Sequence, residues 1–288
     1  MSNRVAMLPY GMKPGPSLAR LPLDRLVWPL GVPAGLAGEV GDLGPDDHLF
    51  FVPGTSALIG LRPGLRCKVS LVLAEPRAYH GRYYRLARLL NRRFHRVVTY
   101  DESLLQTLPN ALRVYFGTTW VPDWAELDLT KDEDVSLIAS SKRKMEGHKL
   151  RHAVARACAA SEPDVAVMGR GYRAFERKSD GLARFRFSVV IENCRQRNYF
   201  TEKLIDAIVC DTIPIYWGCP NIGDFFDTRG IVVCESEAEI LAAIRAAGAG
   251  RHQAILPWCR ENRIVASRFF DYERRIAERL LADDHEPT

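Results

Sequence analysis

The chain lacks several things that would each point to a function class. No stretch approaches the ~20 uninterrupted apolar residues of a membrane-crossing helix. Its seven cysteines, at 67, 158, 194, 210, 219, 234 and 259, never form a CxxC pair. That spacing argues against a disulfide framework and a structural zinc site, and predicts buried free thiols. Acidic runs are short: Asp46-Asp47, Asp132-Glu133-Asp134 and Asp283-Asp284. They read as solvated turns or tail, so no metal ligand set is assigned. There is no internal repeat and no low-complexity tract. Basic residues do not alternate with stacking aromatics, which speaks against a nucleic-acid partner. The N-terminus, MSNRVAMLPYGMKPGP, has Pro and Gly where a signal peptide needs an apolar core. The expected location is therefore cytoplasmic.

What remains is an ordinary globular composition. Of 288 residues, 47% are hydrophobic and 26% charged, enough for two modest domains. Net charge is +5 from 40 basic and 35 acidic residues, a mild excess compatible with a phosphate-bearing ligand.

The pattern along the chain is α/β. After a Pro- and Gly-rich start to about residue 45, DHLFFV and CKVSLVL read as buried strands. YHGRYYRLARLLNRRF reads as a helix with a basic face. HRVVTY reads as a strand, DESLLQTL as a helix and RVYFG as a strand. A polar connection at 123–134 is the candidate linker. The alternation then restarts with VSLIAS, the helix GHKLRHAVARACAA, and the strands DVAVMG and FSVVIE. The helix TEKLIDAIVC follows, then the strands TIPIYWG and GIVVC, and a helix whose Ser236 and Glu239 form a capping box. The segment 255–282 is amphipathic, with a break expected at Pro257-Trp258. This predicts two Rossmann-like domains facing across a cleft. An N-terminal domain spans 1–125, a second domain 126–250 and a helical tail 251–288. Open parallel sheets bind ligands at the carboxyl ends of their strands, where 140–151 and 193–203 fall.

The stretch FSVVIENCRQRNYFTEKLIDAIVCDTIPIYWG (187–218) holds the strongest signal. Thr201 is the expected N-cap, so Glu202 and Lys203 occupy the first helical turn. Leu204, Ile205, Ile208 and Val209 should face the sheet. A lysine beside a helix N-terminus is electrostatically misplaced by ~0.3–1 kcal/mol unless something negative answers it. A diphosphate would do so. A solvated helix start is the plain alternative. Asn193 and Tyr199 add neutral polar contacts.

The order apolar run, Glu-Asn, polar loop, Tyr-x-Thr-Glu-Lys, amphipathic helix and Pro-Ile-Tyr-x-Gly resembles the signature of the α1,3/4-fucosyltransferases, the family 10 glycosyltransferases. Cys194 stands where Ser is usual and Phe200 where Val is usual. The resemblance is strong over about 130–230 and only suggestive before that. It implies a GT-B fold and an inverting glycosyltransferase that moves fucose from GDP-fucose to a glycan acceptor without a metal. Asn193, Tyr199, Glu202 and Lys203 would line the donor pocket, with Lys203 on the diphosphate and Glu202 on sugar hydroxyls. VSLIASSKRKMEGHKLR makes Arg151 the second phosphate cation, with Arg143 or the Lys142/Lys144 pair as substitutes. Gly169 would bring backbone near the nucleotide. Glu75, after KVSLVLA, takes the place of the catalytic base. Two other readings stay open: a different nucleotide-diphosphate sugar as donor, and a non-catalytic nucleotide-sugar or glycan-binding module. The segment SRFFDYERRIAERLL leaves a weak peripheral membrane contact open, against a helix packed on the body.

Overall fold

The computed structural model describes residues 3–161 and 164–283. Met1, Ser2, Asp284 and the last four residues of the expected tail lie outside them. The chain forms two compact units, Met1–Tyr115 with Tyr272–Thr288, and Phe116–Asp271. Each is an α/β unit with its own apolar core. The expected boundary stood at 125/126, with everything beyond 250 as a tail.

The first unit carries β1 (Val5–Met7), β2 (His48–Phe51), β3 (Lys68–Leu73), β4 (Val97–Thr99) and β5 (Ala111–Arg113), paired in that order and all parallel. Between them run α1 (Thr55–Ile59), α2 (Arg77–Leu90) and α3 (Glu102–Thr107), and α8 (Tyr272–Asp283) completes the unit. Parallel strands covered on both faces need apolar residues at nearly every position. Leu71 and Leu73 on β3 and Val97 and Val98 on β4 are fully buried, and Val72 almost so. Three residues of a Pro-rich segment are too few to show a period, so β1 was not expected. β5 pairs at 111–113 rather than 113–117. On α8, Ile276, Ala277 and Leu280 are completely buried, so its apolar face is already covered by the unit.

The second unit carries β6 (Glu133–Ile138), β7 (Val165–Met168), β8 (Phe185–Ile191), β9 (Ile213–Trp217) and β10 (Val232–Val233). Their order is β10-β9-β8-β6-β7, again all parallel. Its helices are α4 (Glu146–Ser161), α5 (Glu202–Val209), α6 (Glu237–Arg245) and α7 (Ala249–Ser267). Helix α7 runs unbroken through Pro257, where a break was expected. Buried Cys259 and Ala266 anchor it after the proline. All seven cysteines are free and buried, as their spacing predicts. No helix among the described residues is long and apolar enough to cross a membrane.

Candidate active site

Helix α5 is the platform of the site. Leu204, Ile205, Ala207, Ile208 and Val209 are all completely buried. At ~1.5–3 kcal/mol for each large apolar side chain removed from water, such burial leaves α5 little freedom to move. Its first turn is fixed from the other side. Thr201 accepts from the Lys203 N–H (3.4 Å), as an N-cap should. Thr201 also donates to Glu192 twice, from its backbone N (2.8 Å) and its hydroxyl (2.7 Å). Glu192 directly follows β8 and is completely buried.

The loop between β8 and α5 is held at both ends. Asn198 adopts a left-handed backbone (φ 64°), which asparagine tolerates better than most residues. It exchanges hydrogen bonds with Asn221: Asn198 N to Oδ1 (2.9 Å), and Asn221 Nδ2 to the Asn198 Oδ1 (2.9 Å). Phe200 packs edge-on against Phe226 and Phe269. Here an aromatic stands where the resembled family usually has valine.

Helix α4 meets this loop at close range. The Gly147 N–H donates to the Asn193 carbonyl (3.0 Å), and a Cβ at 147 would lie 1.7 Å from the Glu192 carbonyl oxygen. Only glycine allows that approach. His148 accepts the Met145 N–H at Nδ1 (3.3 Å), so its proton sits on Nε2 and donates to Asn193 Oδ1 (3.1 Å). Burial and the nearby Arg151 charge lower its pKa, which keeps the ring neutral. Asn193 is thereby oriented with its amide NH2 toward the Tyr199 hydroxyl (3.4 Å). One turn on, buried Arg151 donates to the Ile191 carbonyl at the end of β8. Lys142, Arg143 and Lys144, the alternatives to Arg151, are all exposed. Gly169 (φ 110°) has its Cβ position 2.2 Å from the Ala139 carbonyl oxygen, so the close approach that requires glycine is to the chain just after β6.

The electrostatics differ from expectation in one respect. Lys203 is not stranded at the helix start. Its Nζ lies 2.9 Å from Glu202 Oε1, 3.0 Å from the Thr201 hydroxyl and 3.7 Å from Glu192 Oε2. Burial disfavours its charge, but the Glu202 and Glu192 carboxylates outweigh burial and raise its pKa. Burial likewise works against the Glu202 carboxylate, yet Lys203 and Lys178 hold its pKa low. Glu192 goes the other way: burial pushes its pKa up despite Lys203.

A third cation, Lys178, went unnoticed in the sequence. It belongs to a single 3-10 turn (Lys178–Gly181) before β8. Its ammonium lies 3.8 Å from Asp206 Oδ2 and over the Trp120 ring (5.1 Å to the centroid). Asp206, one turn after Glu202 on α5, is buried and accepts from the Thr119 hydroxyl (2.7 Å) and the Trp120 N–H (2.9 Å). Burial raises its pKa to about 6. Nothing in the local sequence FERKSDG marks this lysine. Three cations (Arg151, Lys178, Lys203) and three carboxyls (Glu192, Glu202, Asp206) thus share one buried corner.

Asn193, Tyr199, Glu202, Lys203 and Arg151 therefore converge at the carboxyl ends of β6 and β8. Glu75 lies in the first unit, in the bend between β3 and α2. It is exposed, and its carbonyl accepts from the Tyr84 hydroxyl (2.9 Å). Among the described residues, no group of three or more His, Cys, Asp or Glu is placed to hold a metal ion.

No family model matches the chain. It is 39% identical over 62 residues to the α1,3-fucosyltransferase FucT of Helicobacter pylori, covering 22% of this chain and 13% of that protein. Over 83 residues it is 31% identical to the GDP-fucose protein O-fucosyltransferase 3 of Bos taurus, covering 27% of this chain and 17% of that protein. The chain resembles the fucosyltransferases. The matches span less than a fifth of the length of these curated relatives. Solved structures add the fold of this fucosyltransferase-like chain. An α1,3-fucosyltransferase superposes with TM-score 0.53 at 20% identity, covering 84% of this chain and 80% of that one. The Anabaena protein HepE in complex with UDP-glucose gives 0.55 at 13% identity, covering 83% and 78%. The fold class is the GT-B type, with two Rossmann-like units in one chain.

Proposed function

We propose that the chain is an inverting glycosyltransferase that takes fucose from GDP-fucose and attaches it to a hydroxyl of a glycan acceptor, without a metal ion. The observation that carries this reading is the corner of the second unit. The residues that the fucosyltransferase resemblance assigns to the donor lie together there, on a fixed helix start at the carboxyl ends of parallel strands.

In the reaction, charge builds on the leaving diphosphate as the bond to the sugar C1 breaks. Fixed cations aimed at that charge stabilise the transition state more than the ground state. Lys203 and Arg151 have that role, and the N-terminus of α5 adds its dipole. Before the donor binds, the corner's charges cancel. The diphosphate takes Lys203 away from Glu202, and Glu202 turns its acceptor oxygens to sugar hydroxyls. Asn193 and Tyr199, aligned by His148, supply neutral hydrogen bonds. Glu75 removes the proton of the acceptor hydroxyl as that oxygen attacks C1 from the face opposite the leaving group.

The likeness to a UDP-glucose-bound structure supports a second donor reading, since the corner addresses the diphosphate more directly than the sugar or base. Calorimetric titration with GDP, GDP-fucose, GDP-mannose and UDP-glucose separates the two. Transfer is then assayed on galactose, N-acetylglucosamine and lactosamine acceptors, with the anomer of the product read by NMR. GDP-fucose binding with transfer that inverts the anomer supports the proposal. Selective UDP-glucose binding would replace the donor. Binding to no nucleotide would remove the function altogether.

A further inference from the structure

Charge is unevenly distributed along this chain. Residues 53–100 hold ten Lys and Arg against one carboxylate, Glu75, while the rest of the chain holds 30 against 34. Arg77 and Arg96 are committed to Asp101 and Asp283. Of the other eight, Arg62, Lys68, Arg92 and Arg93 lie together where α2 returns to the amino end of the first unit's sheet. There a cavity of about 420 Å³ is lined by Arg62, Lys68, Arg92, Arg93 and His95 among others, with no carboxylate in its wall. Lys68 opens β3, and Phe94-His95 precede β4, so the cavity lies at the opposite end of the sheet from Glu75.

The cavity wall is built rather than incidental. Arg62 donates to the Ala57 carbonyl (3.1 Å) and the Arg93 carbonyl (3.0 Å), and Arg93 donates back to the Gly60 carbonyl (2.6 Å). These bonds clip the 59–62 segment to the turn after α2 and spend no carboxylate on either guanidinium. The Arg88 guanidinium donates to the Ser103 hydroxyl. Asp47, whose charge reaches Cys67 in the cavity wall, is held by Arg4 at 2.6 Å. Beside the arginines stand three of the chain's most exposed large apolar residues: Ile59 (55% exposed), Leu61 (72%) and Leu89 (79%). Arginines interleaved with exposed isoleucine and leucine suit one environment in particular. Anionic headgroups meet the cations while the apolar side chains enter the acyl boundary.

We propose that this face of the first unit, and not the C-terminal helix, docks on an anionic lipid surface, with a headgroup phosphate in the basic cavity. The proposal does not depend on the donor reading. Helix α8 is a poor rival because its apolar face is already buried. The test is vesicle flotation of the full chain on pure phosphatidylcholine, and on phosphatidylcholine with one-third phosphatidylglycerol, at low and high salt. The wild type should float only with the anionic vesicles and lose binding as salt rises. Arg88→Gln with Arg92→Gln, both exposed and away from the clip, should weaken partition about 30-fold, since each cation near such a surface contributes ~1 kcal/mol. Leu61→Ser with Leu89→Ser should also weaken it. A charge-matched control on α4, Lys149→Gln with Arg156→Gln, should leave it unchanged, and melting by circular dichroism checks that all variants are folded. Equal flotation on neutral and anionic vesicles would overturn the proposal. So would unchanged binding in the Arg88/Arg92 variant, or retention on heparin without any binding to vesicles.

Discussion

Replacing Thr201 by valine tests whether the candidate site is organised as its geometry says. Valine keeps the shape but removes one hydroxyl. That hydroxyl donates to buried Glu192 (2.7 Å), accepts from Lys203 Nζ (3.0 Å) and caps α5. A hydrogen bond to a charged group contributes ~1.5–3 kcal/mol. The cap is long at 3.4 Å and belongs at the low end of its usual range, ~0.5 kcal/mol. The expected loss is therefore about 3 kcal/mol, or roughly 6–12 °C in the melting of the second unit. The pH dependence is the sharper readout. Glu192 already has a raised pKa in the folded chain, and losing a donor raises it further. A carboxyl with a raised folded pKa costs stability above its unfolded pKa, and nothing once it is protonated in both states. The gap between wild type and variant should thus widen from pH 5 to pH 8. A gap of equal size at both pH values would refute the assignment of Glu192 as a buried carboxylate held by Thr201. So would an unchanged melting temperature.

Lys203→Met should weaken GDP binding about 10–100-fold, the worth of a charge-assisted hydrogen bond, and the deficit should shrink at lower pH as the stranded Glu192 and Glu202 take up a proton; calorimetry at two pH values reads both. Glu75→Gln should lower transfer at least ~100-fold while GDP affinity stays the same, as expected for a lost general base. Asp206 titrates near 6 when folded against 3.8 ordinarily, so it should cost about 3 kcal/mol as pH rises from 4 through 6, and Asp206→Asn should flatten that part of the stability profile measured by urea unfolding. Chelation with EDTA should leave transfer unchanged; loss of activity restored by Mn²⁺ would contradict the cationic role of Lys203 and Arg151.

The chain's two-part α/β character was legible because buried parallel strands are written as unbroken apolar runs such as SLVL and FSVVI. The first turn of α5 was legible too: Thr201 sits one residue ahead of an amphipathic run, which is a local capping signal. β1 was hidden because three residues carry no period. The continuity of α7 was hidden because the local rule at Pro257 predicts a break, while packing of Cys259 and Ala266 carries the helix on. Lys178 and His148 gave no signal at all, since their relevance depends on partners 28 and 45 residues away.

By itself, then, the sequence determined most of the elements and the identity of the groups on the β8–α5 loop, because apolar periodicity and capping are local. Only the tertiary structure decided which charges answer one another. Pairing depends on distance and burial, and these brought Glu192 and Glu202 to Lys203 and brought Lys178 to Asp206. The same folding set four cations of one sequence segment, Arg62, Lys68, Arg92 and Arg93, around a cavity that no local pattern announced.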